Sequence, residues 1–176
     1  CQQWNMKTPS AQLPKIIFVM GVSGSGKTTI GKLLSERSGL PFFDGDDFHP
    51  IENIEKMQSG RPLDDNDRQG WLHAINLAAN AAAQQNGAIF ACSALKASYR
   101  QLLENGIESR IAWVFLDGDF DLIQQRLAQR KAHFMPPGLL KSQFEALERP
   151  ENAVIADLNL SPEAIVEQLM DQLSEN

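Results

Sequence analysis

The chain has 176 residues, 43% of them hydrophobic, with 22 acidic against 16 basic side chains, a formal net charge of −6 and a pI near 5.0. That length supports one well-buried core and is short for two ordinary domains, while the acidic balance argues against a general nucleic-acid or anionic-membrane surface. No apolar run approaches the ~20 residues of a membrane span, and the two cysteines, Cys1 and Cys92, do not make a disulfide framework, so the expectation is a cytoplasmic protein that meets neither nucleic acid nor membrane.

Residues 1–15, with Gln, Asn, Pro and Ser and no periodicity, are expected to form a loose leader before a single domain over 16–176. Ile16–Met20 reads as the first strand, and it runs directly into Gly21-Val22-Ser23-Gly24-Ser25-Gly26-Lys27-Thr28, which spells G-x-x-x-x-G-K-[ST]. A strand, a glycine loop and a helix in that order make a phosphate cradle. Gly24 and Gly26 permit positive φ, so backbone N–H groups and a helix N-terminus converge on one anion. The segment from Gly21 to Thr29 is therefore the expected triphosphate site, with Lys27 on the β- and γ-phosphates and the Thr28 hydroxyl on Mg²⁺.

The helix that follows carries Ile30, Leu33 and Leu34 on one face and should end near Gly39. Leu40–Phe43 reads as a second strand, ending in Asp44-Gly45-Asp46-Asp47. Those carboxylates suit a metal ion and an acceptor hydroxyl, although Asp-Gly-Asp is also ordinary turn chemistry. An Ala-rich helix spans Asp67 to Asn86 and stops at Gly87, and Ala88–Cys92 forms the third strand. Where many phosphate-loop proteins end that strand in aspartate, this chain has Cys92-Ser93, then Lys96. Lys96, Tyr99 and Arg100, at the start of a helix near Ser98, form a cationic group suited to a carboxylate substrate or simply a solvated helix start.

The fourth strand, Ile111–Leu116, leads to Asp117-Gly118-Asp119, which imitates a metal-binding aspartate but is read as a turn, with Asp119 capping a helix through Leu122, Ile123 and Leu127. Arg126 and Arg130 share a face of that helix, and Lys131 and His133 follow before Pro136-Pro137-Gly138 breaks the pattern. This is how a mobile basic lid, about 126–141, would look, though cations there also answer the helix dipole. Neither His49 nor His133 has metal-ligand spacing. Ala153–Ala156 is the fifth strand, and Ser161-Pro162 cap a last helix with Ile165, Val166, Leu169 and Leu173 inward. Five near-continuous apolar strands with interleaved helices imply an α/β, three-layer fold around a parallel sheet, with ligands at the carboxyl ends of the strands.

Together these motifs resemble the small P-loop gluconate kinases, relatives of shikimate kinase. The residues that carry the resemblance are Gly21–Thr28, Asp44-Gly45-Asp46 with His49-Pro50, and Asn53 to Met57. Further ones are Pro62, Leu63, Asp65, Asp67 and Arg68 with Trp71, then Cys92 to Lys96 with Tyr99-Arg100, then Arg126, Arg130, Lys131, His133 and Phe134, and finally Ser142-Gln143-Phe144 with Leu147, Glu148 and Pro150. The resemblance implies ATP-dependent, Mg²⁺-assisted phosphorylation of D-gluconate to 6-phosphogluconate by a homodimer. It implies that Thr28 and Asp44 serve the metal, that Asp46 faces the acceptor hydroxyl, and that Lys27 and Arg130 are catalytic. Arg126 and Arg130 close over ATP, the loop Leu158–Pro162 lies near adenine, and Arg126 is also placed to stack on that base. His49, Arg68, Lys96, Tyr99 and Arg100 are the implied substrate contacts. A kinase of the same fold with a shikimate-like acceptor, or an ATP-binding module without catalysis, remains the alternative; a GTP switch is disfavoured by the lack of an Asn-Lys-x-Asp sequence.

Overall fold

The computed structural model describes residues 13–22, 24–61, 63–129 and 137–174. Its five strands are β1 (Ile16–Met20), β2 (Phe42–Asp44), β3 (Ala88–Ala91), β4 (Ile111–Asp117) and β5 (Val154–Asp157), all parallel in the order β2-β3-β1-β4-β5. The helices are α1 (Lys27–Ser38), α2 (Ile51–Gln58), α3 (Asp65–Ala83), α4 (Ala97–Glu104), α5 (Phe120–Gln129), α6 (Pro137–Ala146) and α7 (Pro162–Ser174). Among the described residues no helix is long and apolar enough to cross a membrane.

The central strand explains the layering. All five residues of β1 are fully buried, and β1 is bonded to β3 on one edge and β4 on the other. Successive strand side chains point to opposite faces. Ile17 and Val19 therefore enter one core with Ile30 and Leu34 of α1 and Ile165, Val166, Leu169 and Leu173 of α7. Ile16, Phe18 and Met20 enter the other with Trp71, Leu72 and Ile75 of α3 and Leu103 of α4. A strand buried on both faces has no polar alternation, which is why the sequence shows short apolar runs.

The caps expected at Gly39, Asp119 and Ser161 hold, whereas α3 ends at Ala83 with Gln84 as its C-cap, short of the expected end at Asn86. Asp119 Oδ1 accepts from the Leu122 N–H at 2.8 Å, and Ser161 Oγ accepts from the Ala164 N–H at 3.2 Å. The start of α3 lies two residues before its expected position, because Asp64 and Asp67 form a reciprocal capping box. Strand β2 starts later than expected: Ser35 Oγ donates to the Leu40 carbonyl and the Leu40 N–H donates to Ser38 Oγ, so the end of α1 occupies that backbone.

Two helices escape the sequence reading. In α2 the apolar residues Ile51, Ile54 and Met57 are exposed while Asn53 is buried, so periodicity points the wrong way. The expected break at Pro136-Pro137-Gly138 is instead the start of α6, whose first residue is Pro137, a position where the missing N–H costs nothing. Of the expected lid, residues 126–129 end α5, residues 137–141 begin α6, and 130–136 lie outside the described residues, as do residues 1–12 of the expected leader.

Between β2 and α2 the chain makes a 3-10 turn, Gly45–Phe48, pressed against the end of β3. A Cβ on Gly45 would sit 2.3 Å from the Ala91 carbonyl oxygen, far inside contact distance, and the neighbour is backbone. Gly45→Ala is expected to lower stability by about 1–3 kcal/mol, the usual cost of overpacking, measured as a reduced urea midpoint against the unsubstituted protein.

Candidate functional site

The site begins where β1 ends. Gly24 and Gly26 have φ of 83° and 95°, turning the loop so that it enters α1 through its N-terminus. No side chain caps that terminus and no acidic residue stands in its first turn, an arrangement that suits an anion. Lys27 Nζ folds back and donates to the Gly21 and Val22 carbonyls at 3.0 and 3.1 Å. Ser25 is fully buried, and its Oγ is without a partner among the described residues. Thr29 is exposed on the outer side of α1, and Ser23 lies outside the described residues.

Thr28 Oγ1 donates to Asp44 Oδ2 at 3.0 Å, and the other oxygen, Asp44 Oδ1, accepts from the Asp46 N–H at 3.0 Å. The sheet order brings these together, because β3 alone separates the ends of β1 and β2. A hydroxyl and a carboxylate side by side are hard oxygen donors of the kind Mg²⁺ takes, so the residues present fit that ion. Cys92, at the end of β3, is buried, and burial pushes its thiol up to about 12, so it contributes no charge.

His49 is expected from the resemblance to touch substrate, but the structure buries its side chain, leaving it 3% exposed. The ring stacks on Trp71 with centroids 4.1 Å apart, and Trp71 Nε1 donates to the Gly45 carbonyl at 2.7 Å. Its Nε2 lies 3.9 Å from Asp46 Oδ1. Burial, with Arg68 nearby, lowers the His49 pKa from 6.5 to about 4, so the ring is neutral at pH 7.

Arg68, Lys96 and Tyr99 come together around Asp65, which the sequence reading passed over except as a family marker. The Tyr99 hydroxyl donates to Asp65 Oδ1 at 2.5 Å, Arg68 Nη1 donates to that hydroxyl at 3.1 Å, and Lys96 Nζ is 3.4 Å from Asp65 Oδ1. The Tyr99 hydrogen bond, aided by Lys96, lowers the Asp65 pKa. A cavity of about 580 Å³ opens here between the start of α3 and α6, lined by Asp65, Arg68, Lys96, Ser142 and Gln143 among others.

Arg100 turns away from this group. Its guanidinium donates to the carbonyls of Ala94 at 2.7 Å, Leu95 at 3.4 Å and Glu148 at 2.9 Å, so it braces the turn after β3. Asp117 is held by Arg149 through 2.8 and 3.3 Å bonds, in keeping with its reading as something other than a metal ligand. Arg126 Nη2 donates to the Leu158 carbonyl at 2.7 Å and so anchors the loop expected near adenine. Arg130 and His133 lie outside the described residues.

Comparison with known proteins follows the same lines. Residues 23–174 match the family described as Shikimate kinase. The chain is 45% identical over 156 residues to the thermosensitive gluconokinase of Escherichia coli strain K12, covering 86% of this chain and 83% of that one. It is 42% identical over 171 residues to the probable gluconokinase of Dictyostelium discoideum, covering 90% and 86%. The crystal structure of a gluconokinase from Sinorhizobium meliloti 1021 superposes with a TM-score of 0.85 at 41% identity, covering 93% of both chains.

The depressed His49 pKa makes stability depend on pH. The unfolded chain takes up this proton near 6.5 and the folded chain only near 4, so stability is lost as pH falls through that window. In urea titrations between pH 7.5 and 4.5, the unsubstituted protein should therefore lose more stability than His49→Gln, and parallel curves would contradict the assignment.

Proposed function

This chain belongs to the gluconokinase family of P-loop kinases and phosphorylates gluconate, and we propose that it draws the phosphoryl group from ATP with Mg²⁺ and directs it to the 6-hydroxyl of D-gluconate. The observation that carries the assignment of roles is the Asp44 carboxylate, which ties Thr28 of the phosphate loop to the turn bearing Asp46 at 3.0 Å on each side.

On this reading the N–H groups of Gly24 to Thr28 hold the triphosphate, and Lys27 leaves the Gly21 and Val22 carbonyls to bind its terminal oxygens. Thr28 and Asp44 would hold Mg²⁺. Bound there, the ion would supply positive charge against the developing charge of phosphoryl transfer. Asp46 receives or orients the proton of the acceptor hydroxyl, which requires little base strength when the transition state is loose. Arg130 offsets charge on the transferring group, while Arg126 keeps the Leu158–Pro162 loop in place beside the adenine.

Arg68 and Lys96 take the substrate carboxylate, and Asp65, Ser142 and Gln143 meet its hydroxyls inside the 580 Å³ cavity, with Tyr99 ordering Asp65 and Arg68 beside it. The two cations, set against Asp64 and Asp65 in the same lining, supply the positive charge that a monoanionic acceptor needs. The kinase domain covers 16–176 with a lid at about 126–141. We further infer a cytoplasmic homodimer with no nucleic-acid or membrane partner.

Gluconate should drive ADP release where shikimate and nucleoside monophosphates do not; equal turnover with shikimate would sink the acceptor assignment. Lys27→Ala and Asp46→Ala should each lower kcat by about a hundredfold or more, with near-normal circular dichroism. Lys96→Ala should instead raise the gluconate KM by about tenfold, the worth of one charged hydrogen bond, and leave the ATP KM unchanged.

A further inference from the structure

We infer that His49 is a positioning residue for Asp46, and that Asn53 fits it for that role by fixing the imidazole proton on Nε2. The inference rests on the role proposed above for Asp46, and its evidence is a run of polar contacts inward from that carboxylate, the outermost of which, at 3.9 Å, is electrostatic and not a hydrogen bond.

Asn53 is one of the few buried polar side chains, 4% exposed, on a helix whose apolar residues face outward. Its Nδ2 meets two atoms, the Asp67 carbonyl oxygen at 2.8 Å and His49 Nδ1 at 3.3 Å. A peptide carbonyl has no hydrogen to give, so the amide end facing it must be the NH₂ group. The same NH₂ faces Nδ1, which must then present its lone pair. A neutral imidazole carries one proton, and that proton is left on Nε2, the nitrogen 3.9 Å from Asp46 Oδ1.

The ring has little freedom to do otherwise. It lies against Trp71 with an interplanar angle of 14°, and Trp71 is itself pinned to the Gly45 carbonyl. Trp71 therefore fixes the Gly45–Phe48 turn at its first residue and the histidine just after it. The Asp46 side chain, by contrast, is 82% exposed. A fixed Nε2–H dipole 3.9 Å from Oδ1, outside direct hydrogen-bond range, favours one orientation of the carboxylate. The opposite tautomer would aim a lone pair at a negative oxygen and turn that preference into repulsion.

Neutrality matters as much as direction. With a pKa near 4, His49 at pH 7 offers a dipole and not a charge. A cation in its place would pair with the carboxylate and compete with the acceptor hydroxyl for its oxygens. Because the ring is buried, it acts through Asp46 and not by touching the substrate.

The test uses the whole protein, ¹⁵N-labelled, at pH 7.5. Long-range ¹H–¹⁵N correlation spectra, with the His49 ring assigned by its loss in His49→Gln, should show the Nε2–H tautomer. Asn53→Leu cannot donate, and should shift the ring toward Nδ1–H while lowering kcat by about tenfold, with KM for gluconate and ATP within about twofold. His49→Gln, whose amide nitrogen can donate from a similar place, should keep kcat within about threefold, whereas His49→Phe should lose about tenfold.

An Nδ1–H tautomer in the unsubstituted protein overturns the proposal, as does unchanged kcat in an Asn53→Leu variant with a shifted tautomer. Equal impairment in His49→Gln and His49→Phe, with unfolding transitions alike, would make the histidine merely structural and also overturn it. If Asn53→Leu fails to fold, the tautomer of the unsubstituted protein and the His49 pair still decide the matter. Failure of the kinase reading shows separately, as absence of gluconate-dependent ADP release in the unsubstituted protein.

Discussion

The carboxylate of Asp44 is the point on which the site turns. Its two oxygens are used in opposite directions, one accepting from the Thr28 hydroxyl on α1 and the other from the Asp46 N–H in the next turn. Hydrogen bonds to a charged group contribute about 1.5–3 kcal/mol each. The pair therefore does more than cap a short 3-10 turn: it locks the spacing between the glycine loop and the turn that carries Asp46. Asp44 can do this only because β2 lies one strand away from β1, a consequence of the order β2-β3-β1-β4-β5. Gly45 then lets the turn lie against the end of β3, where any side chain would meet the Ala91 carbonyl.

The cavity beside α3 is organised by a different balance. The chain carries a net charge of −6, yet it gathers Arg68 and Lys96 beside one cavity. Two cations brought close would repel one another, and Asp65 relieves this by sitting between Lys96 and the Tyr99 hydroxyl that Arg68 also approaches. The pKa directions agree with that account. Lys96 is raised by Tyr99 and Asp65, and Asp65 is lowered by the Tyr99 hydrogen bond. A group held this way keeps the two cations ordered, which lowers the cost of ordering them for any anion that binds beside them.

What the sequence made legible followed from local rules. The glycine loop, the caps at Asp119 and Ser161 and the strands β1 and β3, buried on both faces, each announce themselves through neighbouring residues, and the structure bears them out, whereas the edge strands β2 and β5 expose Phe43 and Ile155. What it concealed depends on contacts distant along the chain. Nothing near Arg100 says that its donors go to Glu148, 48 residues away, and nothing near His49 says that Trp71 will cover its ring. Helix α2 was hidden for a related reason: its amphipathic pattern is inverted, with Asn53 inward because Asp67 and His49 offer it acceptors. Asp65 could have been suspected from its place among the marker residues. Its role as the centre of the cation group needed the packing of α3 against α4.

Residues Leu147 to Pro150, following α6, connect these two halves physically. The Glu148 N–H donates to the Leu95 carbonyl at 2.7 Å, Glu148 Oε1 accepts from the Ala97 N–H at 2.8 Å, and the Glu148 carbonyl accepts from Arg100. These three bonds flank Lys96. Glu148, two residues beyond α6, thus ties the chain leaving that helix to the turn that carries Lys96, while Ser142 and Gln143, one turn earlier, line the same cavity. Displacing this segment breaks those bonds or carries the Lys96 turn with it. A shift of α6 moves Ser142 and Gln143 and so changes the shape of that cavity. That makes Arg100 important in a way its charge does not suggest: burial lowers its pKa, yet its hydrogen bonds hold the cavity wall in register.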